Sequence, residues 1–240
     1  MGRIRVLPSV LAGACLAAAA ASAAAQDPQP RASLEPRVPV LTSQNSSGVE
    51  VEIGVVGRVS LPSGTVESAI PLHYDDLFKT GLGVSVEGSL LWPVGPKWHV
   101  GPYLSLGWDS FDGKTFTDPT GDTLKPDALD EFTFLVGARS ELDLGNHFRW
   151  EAHLAFGAAQ YSTVNAVFVT AGTPMDVRLF DSSTAFAFDI GTRFTYDVGQ
   201  AFFELGLGVR SQGSPREADF TFNSGALVTV EFEFGVGVRF

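Results

Sequence analysis

Residues 228–240 read VTVEFEFGVGVRF, and the alternation in this segment decides the fold class. Every even-numbered position from Val228 to Phe240 is apolar, whereas the odd positions carry Thr, Glu, Gly or Arg. A period of two predicts a β-strand whose two faces meet different surroundings. At about 3.3 Å per residue, the apolar stripe is roughly 40 Å long. That is long enough to cross a membrane.

The same alternation recurs in seven upstream segments, at 49–59, 82–92, 98–108, 132–142, 148–158, 186–196 and 203–209. Most of these segments match the roughly 9–11 residues that a tilted membrane strand requires. The connections alternate between short turns near 93–96, 144–146 and 198–200 and long ones near 61–80, 110–130, 160–184 and 212–226. This asymmetry is typical of outer-membrane barrels. The sequence therefore predicts an all-β, eight-stranded antiparallel up-and-down transmembrane β-barrel.

The third long connection leaves a second strand count open. Residues 164–170 and 175–180 also resemble strands, but they are short for crossing a membrane. We interpret them as extensions of the fifth and sixth strands above the bilayer. A ten-stranded barrel is the alternative.

The polar face of the strands carries many charges, and we expect it to point into the lumen. Because side chains can just fill the interior of an eight-stranded barrel, arginines and carboxylates should pair there and plug it. A narrow ion path that favours cations is the alternative. The predicted lumen network consists of Arg58, Arg139, Arg149, Arg193, Arg210, Arg239, Glu50, Glu52, Glu87, Glu141, Glu151, Asp189, Glu204, Glu231 and Glu233.

Aromatic residues near both ends of the apolar face predict that this face contacts lipid. One band includes Trp92, Trp98 and Trp150, and the other includes Trp108 and Phe186. Aromatic rings with polar edges concentrate at the two interfaces of membrane barrels. A soluble periplasmic ligand-binding barrel, with the apolar face turned inward, remains the other interpretation.

The N-terminus predicts export. Residues 1–25 have Arg3 and Arg5, an apolar run, and a small-residue cleavage site, as a signal peptide does. Residues 26–47 are rich in Pro, Gln, Ser and Asn and predict a flexible tail. The barrel should then occupy 48–240. The single cysteine, Cys15, lies in the signal segment, so no disulfide is expected after cleavage.

The end of the chain resembles the C-terminal assembly signal of bacterial outer-membrane proteins. The residues that carry this resemblance are Phe232, Phe234, Val236, Val238 and Phe240. The eight-strand layout, with three short turns and four long loops, resembles the OmpA-like and OmpX-like small barrels over 48–240. The resemblance implies the outer membrane of a Gram-negative-type bacterium. It also implies contact with outer-membrane lipid, lipopolysaccharide and the barrel-assembly machinery.

Charge and motif content exclude several function classes. The net charge is −11, and loss of the segment with Arg3 and Arg5 leaves 14 basic and 27 acidic residues, a net charge of −13. This argues against a nucleic-acid partner, which needs a basic surface. The acidic second loop could attract divalent cations, although its spacing fits no EF-hand. It contains Asp109, Asp112, Asp118, Asp122, Asp127, Asp130 and Glu131.

No catalytic constellation is recognisable among the four histidines. His99 and His153 face inward by parity, His147 lies at a periplasmic turn, and His73 is in the first long loop. None pairs with a serine on an outward strand face, as lipid-directed catalysis would require. We therefore expect no enzyme and no cofactor. The sequence favours a non-enzymatic outer-membrane barrel with an envelope-structural or surface-interaction role. A small channel or hydrophobic-solute transporter is the alternative.

Overall fold

The computed structural model describes residues 48–67, 72–219 and 224–240. The predicted signal peptide and tail lie outside these described residues. In chain order, the elements are β1 (Glu50–Ser63), β2 (Thr65–Glu67), β3 (Leu72–His73), α1 (Tyr74–Leu77), β4 (Gly81–Pro93), β5 (Trp98–Phe111), β6 (Phe116–Thr117), β7 (Thr123–Pro126), β8 (Leu129–Gly145), β9 (Phe148–Tyr161), β10 (Val164–Thr170), β11 (Thr173–Asp181), β12 (Ser183–Val198), β13 (Ala201–Gln212), β14 (Arg216–Glu217) and β15 (Leu227–Arg239).

Eight strands form a closed antiparallel barrel in the order β1-β15-β13-β12-β9-β8-β5-β4. Strands β1 and β15 close it, with Glu52 opposite Arg239 at one end and Ser63 opposite Val228 at the other. The predicted eight-stranded up-and-down barrel is confirmed. The ten-stranded alternative is wrong, because β10 and β11 pair with each other in a second sheet. Within the described residues, no helix is long and apolar enough to span a membrane.

The two faces of the barrel strands differ as the alternation predicts. The apolar side chains point outward, and Leu205 and Leu82 expose 68% and 66% of their surface. On the inner face, Arg193 exposes only 1%. A surface this apolar is incompatible with water as its surroundings, because exposure of each apolar side chain to water is unfavourable compared with its transfer into lipid. The soluble-barrel interpretation, with the apolar face inward, is therefore wrong.

The short turns lie at one end of the barrel, together with the beginning of β1 and the end of β15. The turn between β8 and β9 consists of Asn146 and His147, where φ is 53° and 70°. Positive φ at both central residues is typical of the type I′ turn, whose twist matches that of the flanking strands. The short turns mark this end as periplasmic, and the long connections mark the other end as extracellular.

The long connections fold into an ordered extracellular cap, which we define as residues 64–80, 112–128, 162–182 and 213–226 where described. Its main sheet has the order β14-β11-β10-β7-β6 and draws on the second, third and fourth connections. The first connection joins the fourth through a hydrogen bond from Gly225 N–H to the Thr65 carbonyl, 2.8 Å long. The four connections therefore form one linked structure.

A hydrophobic core continues from the upper lumen into the cap. Tyr74, Phe180 and Tyr161 are almost fully buried in it. The core consists of Val66, Leu72, Tyr74, Leu77, Phe78, Tyr103, Phe111, Leu124, Leu129, Leu135, Ala155, Ala159, Tyr161, Val164, Ala166, Leu179, Phe180, Ala187 and Leu227. Its aromatic side chains cover the extracellular end of the lumen.

Candidate functional site

The structure places all fifteen predicted network residues inside the barrel. Twelve of them are buried, and the exceptions are Glu50, Arg149 and Arg239 at the periplasmic end. Strand parity explains this placement, because inward positions alternate with lipid-facing ones along every strand. The ion pairs form three layers, which we call periplasmic, middle and upper.

In the periplasmic layer, two arginines join the ends of distant strands. On β9, the Nη1 atom of Arg149 lies 2.8 Å from Glu50 Oε2 on β1, and its Nε atom lies 3.0 Å from Asp197 Oδ2 on β12. Arg239 on β15 pairs with Glu52 and Asp197, and lies 3.3 Å from Glu141. The contacts of Arg149 with Glu50 and of Arg239 with Glu141 cross the lumen mouth. They fix the chain terminus to the opposite wall.

In the middle layer, two fully enclosed arginines share a set of glutamates. Arg193 lies 2.6 Å from Glu233 and 3.3 Å from Glu204, and it also contacts both oxygens of Glu87. Arg139 is bonded to Glu151 and lies 3.6 Å from Glu204. Charge-assisted hydrogen bonds of this kind offset the cost of removing both ions from water.

His153 connects the middle layer to the residues above it. Its Nδ1 atom lies 3.6 Å from a Glu151 oxygen, and its Nε2 atom lies 3.6 Å from Asp189. The ring stacks on Tyr103 with 5.2 Å between centroids. His153 is thus held between two carboxylates and an aromatic ring, and within the described residues neither ring nitrogen has a hydrogen-bond partner.

In the upper layer, Asp109 bridges two arginines, at 2.9 Å from Arg58 and 3.0 Å from Arg210. Arg210 also pairs with Glu231 at 2.9 Å and Glu131 at 3.3 Å. Above this layer, the Gln212 side chain donates to Glu131 at 2.9 Å, and the Tyr161 hydroxyl donates to the Gly213 carbonyl at 2.9 Å. The charged network therefore ends directly below the apolar core of the cap.

Sequence reasoning missed three members of the network, Asp109, Glu131 and Asp197. The first two were assigned to the acidic second loop, but they lie in β5 and β8, which extend farther than predicted. All three occupy positions that continue the inward-facing alternation of their strands. Extending the predicted strands by a few residues would therefore have included them. Their addition gives twelve carboxylates for six arginines.

With every carboxyl ionised, the twelve carboxylates therefore exceed the six arginines by six negative charges. Several of its buried atoms lack a hydrogen-bond partner, among them Asp189 Oδ1 and Glu204 Oε2. An uncompensated buried charge is costly, so an excess of six carboxylates must attract protons or cations. If the lumen admits ions, cations enter more readily than anions.

Comparison with known proteins identifies the family. Residues 76–214, more than half of the chain, match the profile of the autotransporter beta-domain. The chain belongs to the autotransporter beta-domain family. No curated protein matches the sequence significantly.

Solved structures similar to this autotransporter beta-domain are outer-membrane barrels. Neisserial surface protein A has a TM-score of 0.40 and 12% identity, with 81% of this chain and 98% of that chain covered. Ail of Yersinia pestis, solved with a heparin analogue, has a TM-score of 0.41, 13% identity and coverages of 80% and 99%. The outer-membrane protease OmpT of Escherichia coli has a TM-score of 0.47, 8% identity and coverages of 80% and 96%. At these identities the likeness concerns the fold alone.

Family membership and the lipid-facing surface together establish where the autotransporter beta-domain resides. The apolar face runs around the closed barrel, with Trp92 and Trp98 near its periplasmic edge and Trp108 near the other. The protein is therefore located in the outer membrane of a Gram-negative-type bacterium, as the sequence predicted.

Three carboxylates of the autotransporter beta-domain lie close enough to share a metal ion, namely Glu50, Glu52 and Glu141. Arginines occupy the same space. Arg239 contacts all three carboxylates, and Arg149 contacts Glu50 and Glu141. Since guanidinium groups already neutralise these oxygens, the arrangement favours an ion-pair cluster over a cation site.

In the acidic second loop, the Asp118 carboxylate forms hydrogen bonds within its own turn. The Asp118 carboxylate accepts hydrogen bonds from the Thr120 hydroxyl at 2.8 Å, the Thr120 N–H at 2.9 Å and the Asp122 N–H at 2.9 Å. The hydroxyl bond, followed by the backbone bonds, lowers the pKa of Asp118 below its ordinary value. Asp118 therefore has a clear structural role in the cap, and divalent-cation binding at this loop stays a prediction.

Proposed function

We propose that this chain is a non-enzymatic, non-conducting outer-membrane barrel that holds a folded extracellular cap for an envelope-structural or surface-contact role. The observation that carries the proposal is the doubly blocked lumen. Three layers of ion pairs fill it from the periplasmic mouth upward, and the apolar core around Tyr74, Tyr161 and Phe180 covers its outer end.

The packing of the network favours a plugged lumen and argues against an open pore. Arg193, Arg210 and Glu141 each expose 1% or less of their surface, so water has little access to them. Passage of a polypeptide, as the family name suggests, would require the displacement of most of these ion pairs. Breaking a buried pair costs roughly 3–5 kcal/mol, so spontaneous opening should be rare.

The positions of the histidines support a non-enzymatic role. His99 and His153 lie inside the barrel beside carboxylates, and His147 lies in the β8–β9 turn. Among the described residues, none of the hydrogen bonds joins a histidine to a serine or threonine hydroxyl, which activation of such a nucleophile would require.

The first experiment is single-channel recording of the refolded protein in a planar bilayer, with insertion verified by protease protection. We expect no reproducible open levels. The matched control is a variant in which residues 164–181 are replaced by a short Gly-Ser linker. It should also be silent, because the ion-pair layers lie in the barrel below this hairpin. Reproducible cation-selective openings of the native protein would establish the channel alternative instead.

A second measurement addresses catalysis. Lipid A and outer-membrane proteins from cells that produce the barrel should have the same mass spectra as those from cells that lack it. A new deacylated lipid species or a new cleavage product that depends on the barrel would show that it is an enzyme.

A further inference from the structure

A cavity of about 400 Å³ opens at the extracellular rim of the barrel, outside the lumen. It lies where β1 ends and β4 begins, between the first and second long connections. Its lining residues are Leu61, Pro62, Asp75, Phe78, Lys79, Thr80 and Lys114. The floor is apolar and the upper wall is charged, so the cavity joins two different environments.

The apolar floor of the cavity is continuous with the lipid-facing surface. Leu61 points outward from β1 and is 41% exposed, and Leu82, the next outward residue of β4, is 66% exposed. The register pairs Ser60 with Gly81 and Val59 with Leu82, so Leu61 lies on the strand next to Leu82, two register positions nearer the extracellular end. The cavity therefore opens at the extracellular edge of the lipid-facing surface.

The charged wall contains an unusual concentration of lysine for this chain. Lys79 and Lys114 are two of only four lysines in a sequence with 27 acidic residues. Both are exposed, and both line this cavity. With Asp75 as the one acid in the lining, two lysines minus one aspartate leave the cavity with a net charge of +1, in a protein whose net charge is −11.

Cross-loop hydrogen bonds hold the two lysines in place. Phe78 and Gly113 form an antiparallel bridge, and the N–H groups of the next residues bond to the facing carbonyls, Lys79 to Asp112 at 2.8 Å and Lys114 to Leu77 at 2.7 Å. Lys114 Nζ donates to the Asp75 backbone carbonyl at 3.1 Å, which uses one of its three N–H groups. The site is thus built by packed backbone rather than by free loops.

We propose that this cavity binds a phosphate group of a phosphorylated glycolipid of the outer leaflet. The ammonium groups of Lys79 and Lys114 contact the phosphate oxygens, and acyl chains lie along Leu61 and Leu82. The Asp75 carboxylate, which also lines the cavity, opposes the bound anion and weakens its binding. This inference rests on the location in the outer membrane and is independent of whether the lumen conducts.

The test measures lipid binding to the purified full-length barrel in detergent micelles by native mass spectrometry. The probes are bisphosphorylated lipid A, the same lipid after enzymatic removal of its phosphates, and inorganic phosphate as a competitor. The double variant Lys79→Gln/Lys114→Gln should raise the Kd for bisphosphorylated lipid A roughly tenfold or more. The variant Asp75→Asn should lower the Kd, since it removes a repulsive charge and keeps the backbone carbonyl.

The matched control is Lys97→Gln/Lys125→Gln, which removes the same charge from exposed lysines that do not line the cavity. It should leave the Kd within about twofold of that of the native protein. Heat-modifiable migration in electrophoresis verifies that every variant retains a folded barrel. Equal weakening by both double variants would overturn the proposal in favour of diffuse charge. Equal binding of dephosphorylated lipid, or displacement of the lipid by inorganic phosphate at comparable concentration, would also overturn it.

Discussion

At the scale of single residues, the acid-rich lumen makes arginines and glutamates unequal in importance. Arg193 contacts Glu87, Glu204 and Glu233, so Arg193→Met leaves several buried carboxylates without their cation. We expect the free energy of unfolding to fall by about 3–5 kcal/mol. Glu204→Gln removes one surplus charge and should change it by less than about 1 kcal/mol, or increase it.

Denaturant unfolding in phospholipid vesicles, followed by tryptophan fluorescence, measures both variants. Glu204 is the matched comparison because it lies beside Arg193 and Arg139, yet its Oε2 atom has no hydrogen-bond partner. If Glu204→Gln is as destabilising as Arg193→Met, the lumen has no excess of negative charge.

Parity alone was sufficient to place the fifteen predicted residues inward, because one lipid face fixes the direction of every second side chain. The pairing could not be predicted. Arg149 on β9 bonds to Glu50 on β1, 99 positions away, and only barrel closure brings them together. The requirement for glycine at some inward positions could not be predicted from the sequence either. A Cβ at Gly206 would come within 2.4 Å of Arg193 Cγ, a constraint that appears only after the guanidinium is positioned.

At the scale of strands, Phe240 at the end of β15 should affect assembly of the barrel into the membrane more strongly than the loss of its exposed side chain from the lipid face would. The Phe240 ring is 52% exposed, while its backbone N–H and C=O bond to Val51 and complete the barrel seam. Phe240→Ala should reduce the folded fraction in the outer membrane several-fold, because the assembly machinery is expected to read this terminal aromatic. Heat-modifiable electrophoresis of membrane fractions measures the folded fraction.

Phe203→Ala is the control for this prediction. Phe203 is 53% exposed at the same rim, so its loss removes a similar lipid contact from an internal strand. If Phe203→Ala and Phe240→Ala lower the folded fraction equally, lipid contact explains the effect and the terminal signal does not exist.

The barrel strands were easier to predict than the cap strands for a physical reason. A lipid face imposes the alternation on each barrel strand separately, whereas β6, β7 and β14 have only two to four residues. Such short strands form because other loops supply their partners, as when Ala166 of β10 pairs with Pro126 of β7. Residues 164–170 and 175–180 were predicted as strands, but not as members of a separate sheet, since that depends on non-local pairing.

At the scale of the whole molecule, the cap and the barrel should lose stability separately. The barrel is closed by its own ladder of strands, whereas the cap depends on an apolar core in which Phe180 is fully buried with its ring centroid 6.5 Å from that of Tyr74. Burial, together with the nearby charge of Glu217, raises the pKa of Tyr74 above its ordinary value, so ionisation of its hydroxyl is further disfavoured inside this core.

Phe180→Ala should therefore loosen the cap by about 3–5 kcal/mol and leave the barrel folded. Limited proteolysis of intact cells measures the effect, because only the extracellular loops are accessible, and cleavage should accelerate while heat-modifiable migration of the barrel is unchanged. Phe186→Ala, which removes a 65% exposed ring from the lipid face, should leave the cleavage rate as it is in the native protein. If Phe180→Ala also abolishes barrel migration, cap and barrel fold as one cooperative unit, because the shared apolar core then couples them.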